Sequence, residues 1–141
     1  RPIFMETGNS LVKSKNVLKQ VSTPDAPPAL GPYSQAIIGG NFVFISGQLP
    51  LRNGTLLIDE PIEEQTKTVL ENIVNILNAA GSNTSKVVKT TIFLKDMDYF
   101  EKVNTVYSNY FTTNPPARSC VAVKDLPKGS LIEMEAIAII E

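Results

Sequence analysis

Pro61-Ile62-Glu63-Glu64-Gln65-Thr66-Lys67-Thr68-Val69-Leu70-Glu71-Asn72-Ile73-Val74-Asn75-Ile76-Leu77-Asn78-Ala79-Ala80-Gly81 reads as one long amphipathic helix with its start and stop signals attached. Ile62, Thr66, Val69, Leu70, Ile73, Ile76, Leu77 and Ala80 recur at intervals of three and four and form one apolar stripe. Pro61 suits the first turn, where its missing N–H costs nothing, and Gly81 suits the C-terminal cap. A stripe of this composition is core packing and carries no chemistry.

Outside that helix the chain is written mostly as strands. Upstream, Val17 to Ser22 is a short strand, and Thr23 to Pro32 holds four prolines in ten residues, which excludes helix and most sheet pairing. Tyr33 to Ile38 and Phe42 to Ser46 form a hairpin across Gly39-Gly40-Asn41; Gly47-Gln48-Leu49-Pro50 ends it, and Asn53-Gly54 marks another turn. Downstream, Val87 to Leu94 is rich in β-branched residues and reads as a strand. A second helix follows, capped by Asp96 or Asp98, with Glu101 completing a capping-box pattern with Asp98. It is expected to run to about Phe111, with Phe100, Val103, Tyr107, Tyr110 and Phe111 on its apolar side and Asn104 on that same side. Asn114-Pro115-Pro116 breaks it, a strand carries Arg118, Leu126-Pro127-Lys128-Gly129 turns, and Leu131 to Ile140 is the last strand. In that strand Ile132, Met134, Ala136 and Ala138 share one face, while Glu133, Glu135 and Ile137 share the other. The order β-β-β-α-β-α-β-β predicts an α+β fold, a mixed sheet with two helices packed on one face. The opposite face needs cover, which a partner subunit would supply.

Composition narrows the chemistry. The 141 residues suit one domain with a real core; 43% are apolar and 19% charged, and the formal net charge is −1. No basic run marks a nucleic-acid surface, and no apolar stretch reaches the roughly 20 residues that span a bilayer. The chain has no histidine, so a Ser-His-Asp triad, a Cys-His dyad and histidine-ligated metals are excluded. One cysteine leaves no internal disulfide and no CxxC site, and no glycine-rich phosphate motif is present. Carboxylates, Lys, Tyr, Cys, Arg and backbone amides remain as catalytic tools.

Among these, Pro116-Ala117-Arg118-Ser119-Cys120-Val121 stands out, because it holds the single cysteine and one of three arginines. In a strand, Arg118, Cys120 and Ala122 point one way and Ser119, Val121 and Val123 the other. An arginine set among Ala, Val and Cys needs an anionic partner if it is buried. That partner is either a structural carboxylate or a ligand carboxylate, which a planar guanidinium grips with two parallel hydrogen bonds.

Six blocks, in order, give the chain a family. They are Gly31-Pro32-Tyr33-Ser34-Gln35-Ala36, Ser46-Gly47-Gln48-Leu49-Pro50, Val88-Lys89-Thr90-Thr91 with Phe93-Leu94-Lys95-Asp96, Asn104-Thr105-Val106-Tyr107 through Tyr110-Phe111, Pro116 to Val121, and Glu133 to Ala138. The chain resembles the reactive intermediate deaminases (Rid, or YjgF) over Val17 to Ile140, in the branch that keeps the arginine.

The resemblance implies a YjgF-like, chorismate-mutase-like sheet and a homotrimeric barrel with clefts between subunits. It implies hydrolysis of 2-imino acids and their enamine tautomers, such as 2-iminobutanoate and 2-iminopropanoate, to 2-keto acids and ammonia. No metal and no cofactor is implied, and neither nucleic acid nor membrane is expected as a partner. Carried onto this chain, Arg118 holds the substrate carboxylate and Glu133 positions or activates the water; Cys120 shapes the pocket through its backbone rather than acting as a nucleophile. Tyr33, Ser46, Gly47 and Asn104 match further substrate-binding positions in the cleft. Two other readings stand beside this one: a non-catalytic carboxylate-binding or chaperone-like trimer, and a ribonuclease or translation inhibitor. Residues 1–16 are expected to be a flexible arm, or the remnant of a tag or presequence, ahead of a single Rid-type domain over 17–141. The expected location is the cytoplasm, or the mitochondrial matrix if that arm is a processed presequence.

Overall fold

A computed structural model describes residues 17–140; the N-terminal arm lies outside the described residues. The strands are β1 (Lys19–Val21), β2 (Ala36–Gly39), β3 (Phe42–Gln48), β4 (Leu51–Arg52), β5 (Thr55–Leu56), β6 (Val87–Leu94), β7 (Ala117–Ala122) and β8 (Ile132–Ile139). The helices are α1 (Ile62–Ala79) and α2 (Phe100–Tyr107). Six strands form one sheet in the order β1-β2-β3-β8-β6-β7, and β4 and β5 make a small hairpin around Asn53-Gly54. Every pairing in the large sheet is antiparallel except β6 with β7, which α2 connects as a parallel crossover. The expected mixed sheet with two helices is the observed one.

Alternation along the strands sorts the two faces. Val43 and Ile45 of β3, Thr90, Ile92 and Leu94 of β6, and Ile132, Met134, Ala136 and Ala138 of β8 are buried on the helix side. The stripe of α1 packs on them, with Val69, Leu70, Ile73, Ile76 and Leu77 almost wholly out of water. Each such side chain contributes about 2 kcal/mol by leaving water. Helix α1 ends in a Schellman motif: Gly81 N–H donates to Asn78 O at 3.1 Å and Ser82 N–H to Leu77 O at 2.9 Å, with Gly81 at φ +81°. Buried Gln65 ties the other end of α1 to β8, donating to Glu60 O at 3.0 Å and accepting from Leu131 N–H at 3.1 Å. The far face of the sheet carries Phe42, Phe44 and Val121, each more than 40% exposed.

Three sequence expectations shift. α2 ends at Tyr107 rather than about Phe111, because the next turn tightens to i→i−3 bonds, Asn109 N–H to Val106 O and Tyr110 N–H to Tyr107 O, both at 3.0 Å. Asp96 caps a 3₁₀ turn over Met97–Tyr99 by accepting from Asp98 N–H at 2.8 Å; α2 itself has no side-chain cap, so the Asp98–Glu101 box does not form. Strand β2 begins at Ala36, because buried Gln35 is spent on the proline loop. It accepts from Thr23 N–H at 2.7 Å and donates to Thr23 O, Ala26 O and Pro27 O at 3.1, 3.3 and 2.8 Å.

Candidate active site

Arg118 sits on edge strand β7, and its cross-strand neighbour on β6 is Thr90, which points into the helix-covered core. Arg118, Cys120 and Ala122 therefore share the helix side, as the alternation predicts. The half-buried guanidinium reaches α2. There it donates from Nη1 to Asn104 Oδ1 at 2.7 Å and lies 4.9 Å from the ring centre of Tyr107 and 5.4 Å from that of Phe100. Phe100, Asn104 and Tyr107 are spaced four and three apart, so one face of α2 supplies all three contacts. Among the described residues the ion pairs are Arg52–Glu64 and Lys95–Asp125; Arg118 belongs to neither. It borders a cavity of about 350 Å³ lined also by Asn104, Tyr107, Ser108, Phe111, Pro115 and Pro116.

The ring of Tyr107 is fixed from both ends. Its hydroxyl shares a 2.6 Å hydrogen bond with Thr90 Oγ1, and Phe111 packs against it with ring centres 4.6 Å apart and planes tilted by 43°. Burial pushes the Tyr107 phenol up, against smaller opposing pulls from Thr90 and Arg118, so the phenol stays neutral. Burial also pushes the Cys120 thiol up, and the nearby Arg118 charge only partly offsets it. Cys120 is thus held as a thiol, which is not the nucleophilic form.

A second cluster lies across the sheet. Strand β3 carries a bulge between Ile45 and Gln48, with Gln48 Nε2 donating to Ser46 O at 3.0 Å. Ser46 Oγ donates to Ser34 O at 2.6 Å, and Ser46 N–H to Gln35 O at 3.0 Å, which joins the bulge to the segment entering β2. The Glu133 carboxylate lies over Gly47, in space that any β-carbon there would fill. Burial first, and then the neighbouring Glu135 charge, push the Glu133 carboxyl above its ordinary range. Tyr33, half exposed, accepts from Leu30 N–H through its hydroxyl at 3.4 Å.

One chain thus joins Arg118 to Asn104, with Cys120 on the same face, and separately joins Ser46, Gly47 and Glu133. Arg118 and Glu133 point to opposite faces of the sheet, and they make no ion pair within the chain. Sequence reading missed Thr90, and read Phe100 and Tyr107 only as helix packing. The signal was present in the spacing of Phe100, Asn104 and Tyr107 around a face that the arginine strand had to meet. Among the described residues no group of His, Cys, Asp and Glu could hold a metal ion, and no helix is long and apolar enough to cross a membrane.

A mixed sheet with two helices packed on one face, a guanidinium over aromatic rings and a half-buried carboxyl over a glycine bulge define a small α+β protein. The chain belongs to the family described as endoribonuclease L-PSP, also called YjgF or Rid, whose model matches residues 23–140. It is 52% identical to a RutC family protein of Pyrococcus abyssi over 119 residues, covering 84% of this chain and 94% of the relative. It is 43% identical to the human 2-iminobutanoate/2-iminopropanoate deaminase over 127 residues, covering 89% and 93%. Among solved structures it is similar to E. coli TdcF with bound serine, with a TM-score of 0.82 and 38% identity, covering 86% of this chain and 98% of that one.

Proposed function

We propose that this protein hydrolyses 2-imino acids, and their enamine tautomers, to 2-keto acids and ammonia. The observation that carries the reading is Arg118: a half-buried guanidinium lying over the Phe100 and Tyr107 rings, bonded to Asn104 and matched by no carboxylate of its own chain among the described residues. A charge so placed calls for an anionic ligand, and its fork fits a carboxylate. The human relative's name and the serine bound to TdcF support an amino-acid-sized substrate.

The reaction adds water to C2 of the protonated imine. The resulting carbinolamine expels ammonia and leaves the 2-keto acid; with one water consumed, the products are a carbonyl and ammonium. Arg118 orients the carboxylate, which presents C2 in a fixed place. Glu133 takes a proton from the attacking water and returns it to the departing nitrogen, a task for which a carboxyl raised above its ordinary range is suited. Imines hydrolyse unaided, so orientation and one proton shuttle are sufficient. Because Arg118 and Glu133 face opposite sides of one sheet, the complete site takes Arg118 from one copy and Glu133 from another. We therefore propose the homotrimer with clefts between subunits, the exposed Phe42, Phe44 and Val121 face lying against neighbouring copies. A ribonuclease would need a basic surface that tracks phosphates, whereas this chain has a net charge of −1 and no histidine.

The test generates 2-iminobutanoate with threonine dehydratase in the presence of semicarbazide, and follows loss of the semicarbazone as the protein is added. Diversion by the wild type but not by Arg118→Ala supports the deaminase. An intact oligomer that binds 2-oxobutanoate but never diverts the imine would instead be a carboxylate-binding protein.

A further inference from the structure

We propose that Thr90, Tyr107 and Phe100 form a positioning device for Arg118, in which the Thr90–Tyr107 hydrogen bond fixes the plane on which the guanidinium rests. The inference rests on Arg118 being the carboxylate clamp. Nothing in the six family blocks or in the relatives' names assigns this role.

The connections close into a loop. Thr90 and Arg118 are cross-strand partners in the parallel β6–β7 ladder. Thr90 is fully buried and bonds the Tyr107 hydroxyl at 2.6 Å; the Tyr107 ring lies under the guanidinium at 4.9 Å, which returns to the Arg118 backbone beside Thr90. The ring is therefore located relative to the same pair of strands that launches the arginine. Phe100 lies 5.4 Å from the guanidinium, and Phe111 backs the Tyr107 ring at 4.6 Å. Aromatic faces attract the cation but offer it no lone pair of an oxygen acceptor. Of the five N–H donors of an arginine, Asn104 takes one at 2.7 Å. The donors left over lie in the guanidinium plane, so a ligand must approach in that plane, which is the approach a bidentate carboxylate needs. Burial of Tyr107 serves the same end. A neutral phenol supports the cation without neutralising it, where a phenolate would compete with the ligand.

A purely structural Thr90–Tyr107 bond predicts a different mutant pattern from a positioning one. Thr90→Val or Tyr107→Phe alone leaves a buried hydroxyl without its partner and lowers the melting temperature. The double variant removes both hydroxyls at nearly constant shape, so stability returns. If the bond positions Arg118, KM for 2-iminobutanoate stays raised about three- to fivefold in that double variant while kcat holds within about twofold, the scale of one exposed cation–π contact. Tyr107→Leu and Phe100→Leu remove ring faces and raise KM by about five- to tenfold.

The independent readout is the proton spectrum of the Arg118 side chain in the assembled protein without ligand, assigned by comparison with Arg118→Lys. The two rings shift its δ-methylene and Nε–H resonances upfield; we expect the shift to shrink in the Thr90→Val/Tyr107→Phe double variant and to collapse in either leucine variant. Recovery of KM together with stability in the double variant overturns the proposal, as does a ring shift unmoved by the substitutions. A wild type without turnover sinks the deaminase reading, and the ring shift then decides the positioning device on its own.

Discussion

Glu133 Oε2 occupies the space in which a β-carbon on residue 47 would stand, so the position of this carboxyl and the absence of a side chain at Gly47 are one structural fact. The bulge between Ile45 and Gln48 brings the backbone of β3 under Glu133 of β8, and the carboxyl loses water by lying there.

Gly47→Ala should therefore act through Glu133. A methyl group overlapping Oε2, and crowding Cδ and Cγ, forces the carboxyl aside at a cost of about 1–3 kcal/mol. Imine hydrolysis should fall by at least tenfold, since the proposed water-activating group is displaced. Glu133→Ala in the same chain should restore the lost stability, giving a coupling of about 1–3 kcal/mol in a double-mutant cycle measured by urea unfolding. Additive losses would show that the two positions do not meet.

The raised carboxyl of Glu133 also predicts a pH dependence. Its pKa lies above the ordinary 4.5 in the folded protein, first because of burial and second because of Glu135. The folded state then holds the proton to higher pH than the unfolded chain does. Glu133 contributes nothing adverse below the unfolded pKa and costs stability as pH rises from about 4.5 through the folded value. Glu133→Gln cannot ionise, so its melting temperature should gain on the wild type as pH is raised from 4 toward 7, while the proposed deaminase activity is lost. A constant gap between the two melting curves would place the titration elsewhere.

How far the sequence carried the site depends on the range of each contact. Arg118 and Asn104 were legible because strand alternation and helix spacing each point a side chain, and the two faces had to meet. The Schellman cap at Gly81 was legible for the same local reason. The Thr90–Tyr107 bond was not, since a threonine in a β-branched strand and a tyrosine on an apolar helix face both read as packing. Only the parallel β6–β7 register sets them beside Arg118. The overlap of Glu133 with Gly47 was hidden as well, because it comes from a bulge that shifts the register of strands far apart in sequence. The helix end at Tyr107 was misplaced because Tyr110 and Phe111 keep the apolar spacing, and Phe111 remains buried, after the turn has tightened at Asn109 and Tyr110.

Gln35 holds the proline loop in place, and its loss should be felt as local opening. Its amide makes four bonds to the backbone of Thr23, Ala26 and Pro27 from a buried position. Gln35→Leu fills most of the volume but leaves those backbone groups unpaired, at about 2–3 kcal/mol. Limited proteolysis should then cut within residues 23–30, and Tyr33, two residues before Gln35, should lose its fixed place. A variant as protease-resistant as the wild type would mean that the prolines alone hold the loop.

Cys120 provides the sharpest test of the proposed mechanism. It is the single cysteine, it lies two residues from the candidate clamp, and a reader looking for a nucleophile would choose it. The environment argues the other way: burial raises its thiol and Arg118 only partly offsets the rise, so the thiolate is disfavoured at neutral pH. The proposed addition of water to an imine needs no covalent stage either, since orientation by Arg118 and a proton shuttle at Glu133 would account for every bond made and broken. Cys120→Ala should therefore keep activity within about threefold and cost about 1 kcal/mol of packing on a half-buried strand. Iodoacetamide should inactivate the wild type only as far as its bulk obstructs the cleft, and should leave Cys120→Ala untouched. Complete loss of turnover in a well-folded Cys120→Ala variant would replace the proposed water-addition mechanism with a covalent one.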